Sequence, residues 1–135
     1  TIIRTAKWFG VSQIVCSNDC VDAYDRKVVQ SAMGALFHIN LSYEDEGTFL
    51  SKAIKMNYSV LGTAMLGTPI YELDVAPKSI LVIGSESHGM KPNTSAFCDE
   101  FCTIPNLEND RKIESLNAGV ATAIVLSEMT RKLSL

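Results

Sequence analysis

The chain has 135 residues, 47% apolar and 20% charged, the length and balance of one globular domain that buries its own core without metal or disulfide staples. Twelve Lys and Arg against fifteen Asp and Glu leave a net charge of −3 and a sequence pI near 5.3, which argues against a self-sufficient nucleic-acid binder with a basic surface. No stretch approaches the ~18–20 apolar residues that a membrane-spanning helix needs, and no basic-then-apolar leader pattern stands among these residues.

Residues 2–10 read as a helix: Ile2, Ile3, Ala6 and Phe9 share one face at three- and four-residue spacing, and Gly10 supplies a stop. Because TIIRTAKWFG already reads as the middle of a helix, the parent protein is expected to begin upstream. Residues 11–16 predict a short buried strand. Asp25 is a candidate N-cap for a helix to Met33, closed by Gly34. A second strand is expected over 35–41, then an amphipathic helix over 43–56 carried by Phe49, Leu50, Ala53 and Ile54. Residues 58–61 predict a third strand and 66–76 a loop with a short extended piece.

The run over 79–83 is the clearest strand, and Pro92 suits the first position of a helix over 92–97. Residues 101–104 predict another strand, ended by Pro105, and the polar stretch 106–114 leads into a long helix over 116–132. Strands alternate with helices, so the fold class is α/β with a mostly parallel sheet. In the last helix Ala118, Gly119, Ala121 and Ala123 are small, while Val120, Ile124, Val125 and Leu126 point in several directions. That composition predicts burial on most of its surface, against a sheet or a second subunit.

Four cysteines fall as Cys16/Cys20 and Cys98/Cys102, each pair separated by three residues where zinc knuckles use about two. Reduced thiols in a cytosolic (cytoplasmic) chain are the expectation, and no metal is assigned.

Three polar clusters stand out on this apolar background. LVIGSESHGM, residues 81–90, is an apolar β-branched run ending in a glycine-bounded turn that holds Glu86. Such a junction exposes backbone polar groups at the carboxyl end of a sheet, where open α/β folds bind ligands. It nearly spells a phosphate loop, but Met90 stands where Lys is required and Glu86 would repel an anion, which argues against a nucleoside triphosphatase. The plain alternative is an ordinary glycine turn. Ser115 and Asn117 flank Leu116 at the mouth of the last helix; either could be an N-cap, and neither completes a capping box, since Ala118 and Val120 stand three residues on. Arg4 is a candidate site residue or an ordinary surface charge. His38 reads as a core or surface histidine, and His88 as a turn residue with no catalytic role.

Taken in order, IIRTAKWFGV, LVIGSESHGM and IPNLENDRKIESLNAGVATAIVLSEM resemble the three motifs of the SpoU (TrmH-like) branch of the SPOUT methyltransferases, and KVVQSAMGALFHINL resembles the segment linking the first motif to the core. The resemblance covers nearly the whole chain and implies that residues 1–135 form one SpoU-type catalytic domain. It further implies helices on both faces of the sheet and a C-terminal trefoil knot, an exception to unthreaded topology. The same resemblance implies S-adenosyl-L-methionine as methyl donor, a homodimer, no metal or membrane, and 2′-O-methylation of a ribose in a tRNA or rRNA substrate. Carried over position by position, Arg4, Glu86, Ser115 and Asn117 match the catalytic set. Cofactor contacts fall in three loops, at Thr63, from Gly84 onward, and across Ile104 to Leu116. Two features depart from the family pattern: the asparagine that normally precedes the first-motif arginine is absent, and the loop over 106–114 is long.

The chemistry so implied asks Arg4 to hold a phosphate and stabilise a developing alkoxide, because a guanidinium is a poor proton acceptor. Ser115 and Asn117 would position the ribose or Arg4, and Glu86 would brace the loops. Two other readings stay open: a non-catalytic dimeric RNA-binding or SAM-binding module, and a flavodoxin-like nucleotide domain.

Overall fold

The computed structural model describes residues 1–20, 39–85, 88–108 and 113–134. Helix α1 (Ile2–Trp8) turns Ile3 and Ala6 inward, with Phe9 just past its end on the same side. Gly10 adopts φ +78°, a left-handed conformation open to glycine, and the Val11 amide bonds back to the Ala6 carbonyl at 2.9 Å. The chain then enters β1 (Gln13–Cys16), which pairs in parallel with β2 (Asn40–Tyr43). The helix expected from Asp25 to Met33, Gly34, His38, and most of the strand expected over 35–41 lie outside the described residues.

Helix α2 (Glu46–Lys55) begins later than the hydrophobic periodicity suggests. Asp45 is its N-cap, its Oδ2 accepting from the Thr48 amide and hydroxyl at 3.0 Å each, and a cap residue must itself be extended. The helix buries Leu50 and Ala53, and Asn57 at φ +67° turns the chain back.

Strand β3 (Ser59–Pro69) lies between β4 (Ser79–Val82) and β5 (Glu100–Thr103), and both pairings are parallel. This corrects one expectation. The third strand is much longer than 58–61, its end forming the short extended piece expected within 66–76, and the rest of that stretch supplies the core residues Ile70 and Leu73, with Val75 packed against them. Turn-forming residues there masked the extension, because pairing with β5 resumes only after a slip in register. Thr63 and Thr68 both face Cys102. Asp99 pins the start of β5: its amide donates to the Val60 carbonyl and its Oδ2 accepts from the Val60 amide, each at 2.8 Å.

Successive strand residues point to opposite faces. Leu61 and Cys102 face a core with Ala6 of α1 and with Val125, Leu126 and Met129 of α4 (Ala118–Ser134). Gly62 points the other way, toward Cys98, which follows the short helix α3 (Pro92–Ser95); a Cβ at Gly62 would lie 2.9 Å from the Cys98 sulfur. α2 touches β3 and α3, so helices cover both faces of this ladder. The class is therefore α/β with parallel strands, in two ladders among the described residues. Among these residues no helix is long and apolar enough to cross a membrane.

Cys102, 1% exposed in the centre of β5, gives the fold a pH dependence. Burial pushes its thiol from an ordinary value of 9.0 up to about 11. Below the ordinary value the thiol is neutral in both folded and unfolded chains. As pH rises from there toward about 11, the unfolded chain releases a proton that the folded chain retains, so stability falls with pH. Urea denaturation across this alkaline window is expected to show a declining midpoint in the wild type and a shallower decline in Cys102→Ala, measured against each protein's own value near neutrality.

Candidate functional site

Parallel strands deliver their carboxyl ends to one edge, and here three loops leave that edge side by side. Gly62 pairs with Val82 and Thr63 with Cys102, so the chain departs at neighbouring points after Thr63, Val82 and Thr103. Thr63 is half-buried, and its Oγ1 donates to the Val82 carbonyl at 3.3 Å, tying the first departure to the second.

The first departure is the four-residue bulge 64–67 within β3, between Thr63 and Thr68, which pair with the same Cys102. It exposes Met65 and Leu66 and is held by Thr103 Oγ1, which donates to the Met65 carbonyl at 3.1 Å. Gly67 closes it against β5: a Cβ there would sit 2.6 Å from the Phe101 carbonyl oxygen. In the second loop a Cβ on Gly84 would lie 2.5 Å from the Gly89 carbonyl carbon and the Met90 nitrogen, so only glycine allows the loop to fold back so closely. Ser85 and Gly89 exchange backbone hydrogen bonds at 3.1 and 2.9 Å, the His88 amide donates to Ser85 Oγ at 3.0 Å, and Gly89 has φ +68°. This is a built turn, stiffer than a plain glycine link. Glu86 lies outside the described residues.

The third loop runs from Ile104, which packs on the core, to Leu116, which is half exposed. Asn106, which sequence reasoning missed, ties its two limbs: its Nδ2 donates to the Ile113 carbonyl at 3.3 Å and its Oδ1 accepts from the Glu108 amide at 2.9 Å. An Asx turn beside Pro105 was the available signal. Leu107 and Ile113 are exposed, and so is Ser115.

Asn117 is the N-cap of α4. Its Oδ1 accepts from the Gly119 amide at 2.8 Å and from the Val120 amide at 3.2 Å, satisfying two of the helix's orphan donors. The capping and site readings of this residue are compatible, because capping holds the amide group in one orientation. Gly119 makes room for α1: a Cβ there would lie 2.7 Å from Thr1 Cγ2 and 3.1 Å from Asn117 Oδ1. The starts of the two helices thus meet. Arg4 follows one turn later on the exposed side of α1 and lines a shallow groove of about 290 Å³ with Thr5, Trp8, Phe9 and Ala123 of α4. The structure brings Arg4 and Asn117 to one corner of the molecule and sets Thr63, Gly84 and Ile104 at one sheet edge.

A second feature missed from the sequence braces the Gly84 loop. Lys91, which follows that loop directly, contacts Asp19 at 2.7 Å and Glu46 at 3.4 Å, while Thr94 Oγ1 donates to Glu46 at 3.2 Å. The hydrogen bond from Lys91, helped by that from Ser17, holds the Asp19 carboxyl down at about 2. Lys91 and Asp19 are exposed, so the worth of their pair is in placement more than stability. Partners this far apart in sequence leave no periodic trace. Among the described residues no three His, Cys, Asp or Glu side chains gather as metal ligands. Burial, reinforced by Cys20, raises the Cys16 thiol to about 11.

Open parallel α/β sheets bind ligands in the crevice beyond the carboxyl ends of their strands, the edge that these loops leave. Residues 1–127 match the SpoU rRNA Methylase family, and the chain belongs to that family. It is 30% identical over 132 residues to the 23S rRNA (guanosine-2′-O-)-methyltransferase RlmB of Pseudomonas aeruginosa, covering 96% of this chain and 52% of that protein. Among solved structures it resembles a TrmH-family RNA methyltransferase from Porphyromonas gingivalis, with TM-score 0.87 and 34% identity over 96% of this chain and 53% of that one. It also resembles the AdoMet-bound rRNA methyltransferase from Sinorhizobium meliloti, with TM-score 0.88 and 26% identity over 97% of this chain and 50% of that one. The chain thus spans about half the length of these relatives.

The capping role of Asn117 has a measurable size. Asn117→Ala is expected to lower the unfolding free energy by about 1 kcal/mol in urea denaturation, and Asn117→Asp to keep most of the wild-type stability.

Proposed function

We propose that this chain is the catalytic domain, residues 1–135, of an S-adenosylmethionine-dependent enzyme that methylates a ribose 2′-hydroxyl in tRNA or rRNA. The observation that carries the reading is the corner where Thr1 of the Arg4-bearing helix meets Gly119, beside the helix cap Asn117, in a member of the SpoU family.

The residues at the sheet edge suit the methyl donor. The described parts of the three loops offer backbone amides and carbonyls, and Leu107, Ile113 and Leu116 expose apolar side chains of the kind that flank an adenine ring. Gly84, Thr63 and Ile104 would hold the donor through backbone, with Leu116 against its apolar part. When bound, S-adenosylmethionine supplies an electrophilic sulfonium methyl. The chain's own contribution is alignment and charge. Arg4 binds the phosphate next to the target ribose and stabilises negative charge on the 2′-oxygen as its proton departs to that phosphate or to water. Asn117, oriented by the amides of α4, positions the ribose or the guanidinium; Ser115 on the preceding loop assists, and Glu86 braces the Gly84 loop.

The relatives named as RNA methyltransferases support an RNA substrate, and that named as a guanosine-2′-O-methyltransferase supports the ribose hydroxyl. The C-terminal trefoil knot and a homodimer complete the proposal. Val120 and Leu133, nearly half exposed on the last helix, support a subunit contact there. A cytoplasmic location fits four free cysteines, and neither metal nor membrane is required.

Incubating the protein with methyl-labelled S-adenosylmethionine and purified tRNA or rRNA, then mapping 2′-O-methyl sites, tests the reading. Arg4→Ala is expected to lower the rate roughly 10²–10³-fold with cofactor affinity retained. Cofactor binding without incorporation into any RNA would instead favour a non-catalytic module, the reading that the net charge of −3 favours.

A further inference from the structure

Lys91 stands where the Gly84 loop ends, and both its backbone and its side chain are fixed there. Pro92, at the first position of α3, confines the residue before it to extended backbone, and Lys91 has φ −64° and ψ 144°. Its ammonium reaches two carboxylates from different segments, Asp19 after β1 at 2.7 Å and Glu46 at the start of α2 at 3.4 Å. Each carboxylate is itself tethered: Ser17 Oγ donates to Asp19 Oδ1 at 2.5 Å and Thr94 Oγ1 to Glu46 Oε1 at 3.2 Å. A lone exposed pair loses in side-chain ordering much of what it gains by attraction. Here the partners are already ordered, and a network of charges is the case in which a surface pair counts. Among the described residues the β1–β2 ladder and the β3 ladder share no strand pairing, so this bridge is a polar tie between them.

We infer that Lys91 is a positioning residue for the methyl donor, anchoring the far end of the Gly84 loop so that the loop's backbone is held ready to meet that donor. The path is short. Met90, its neighbour in the chain, sets its nitrogen where a Cβ on Gly84 would lie 2.5 Å away, and the Met90 thioether sits 3.7 Å from the Cys98 thiol. The turn between is closed by the bonds that Ser85 and Gly89 exchange, so Gly84 packs directly on the residue next to the anchor. Without the ammonium, Asp19 and Glu46 turn to water, and the exit of the loop is held by Pro92 and packing alone. Lys91 acts through the loop and touches neither the donor nor the reacting atoms. This inference rests on the proposed role of the Gly84 loop in holding S-adenosylmethionine, and it adds a residue one position beyond the stretch 81–90.

Calorimetric titration of the full chain with S-adenosylmethionine, paired with amide hydrogen exchange over residues 82–90, tests this assignment. Lys91→Met is expected to weaken the affinity about 2- to 5-fold and to raise KM for the donor in step, at unchanged kcat, with Lys91→Arg restoring most of the loss. Amides over 82–90 are expected to exchange faster in Lys91→Met while those of α4 keep the wild-type rate, a pattern that a general loss of stability does not give. Asp19→Asn is expected to weaken the affinity as well, and to add little on top of Lys91→Met, because the two side chains act as one pair. Unaltered affinity and exchange in Lys91→Met would overturn the inference. So would fully additive effects of the two substitutions, or exchange that quickens equally in α4. Should the wild type bind no S-adenosylmethionine, faster exchange over 82–90 in Lys91→Met would keep the loop anchor and sink the proposed donor site; donor binding and methyl transfer indifferent to Lys91 would do the reverse.

Discussion

Parallel pairing of β3 with both β4 and β5 is the constraint from which the candidate sheet-edge site follows. An antiparallel neighbour would send its loop to the opposite edge, whereas parallel strands in matched register gather every carboxyl end together. Gly62 opposite Val82 and Thr63 opposite Cys102 set that register, and the paired 2.8 Å hydrogen bonds between Asp99 and Val60 lock it where β5 begins. Close approach is built in through absent side chains. Gly67 lets the bulge of β3 rejoin β5 after four residues, and Gly84 lets the second loop fold onto its own far end.

The corner that carries Arg4 and Asn117 depends on contact between two helices distant in sequence. Gly119 admits Thr1 to the start of α4, and Ala123 leaves space beside Arg4 one turn later. Asn117 serves this arrangement as a cap, and a side chain whose oxygen is committed to two backbone amides has little rotational freedom left. The charge distribution fits as well. Helix α1 carries two cations, Arg4 and Lys7, and no acid, within a chain of net charge −3.

Much of this was legible beforehand because the signals are local. The stop at Gly10, the strand over Ser79–Val82, the proline start of α3 and the polar mouth of α4 each follow from a few neighbouring residues. The longer β3 was not legible, since residues 64–67 leave the ladder and resume it opposite the same Cys102, a slip that leaves no alternating pattern. The bridge from Asp19 through Lys91 to Glu46 was hidden for a similar reason: its members lie on three separate segments, and exposed charges have no period.

The amino-acid sequence by itself determined the α/β class, the order of the elements and the residue types available for chemistry, because helix periodicity, caps and glycine turns act over a few residues. Only the tertiary structure decided that Thr1 rests on Gly119 and that Thr63, Gly84 and Ile104 leave one sheet edge together. Those outcomes depend on strand register and on van der Waals fit between segments a hundred residues apart. Such contacts form when the chain closes on its core, and no short window of residues encodes them.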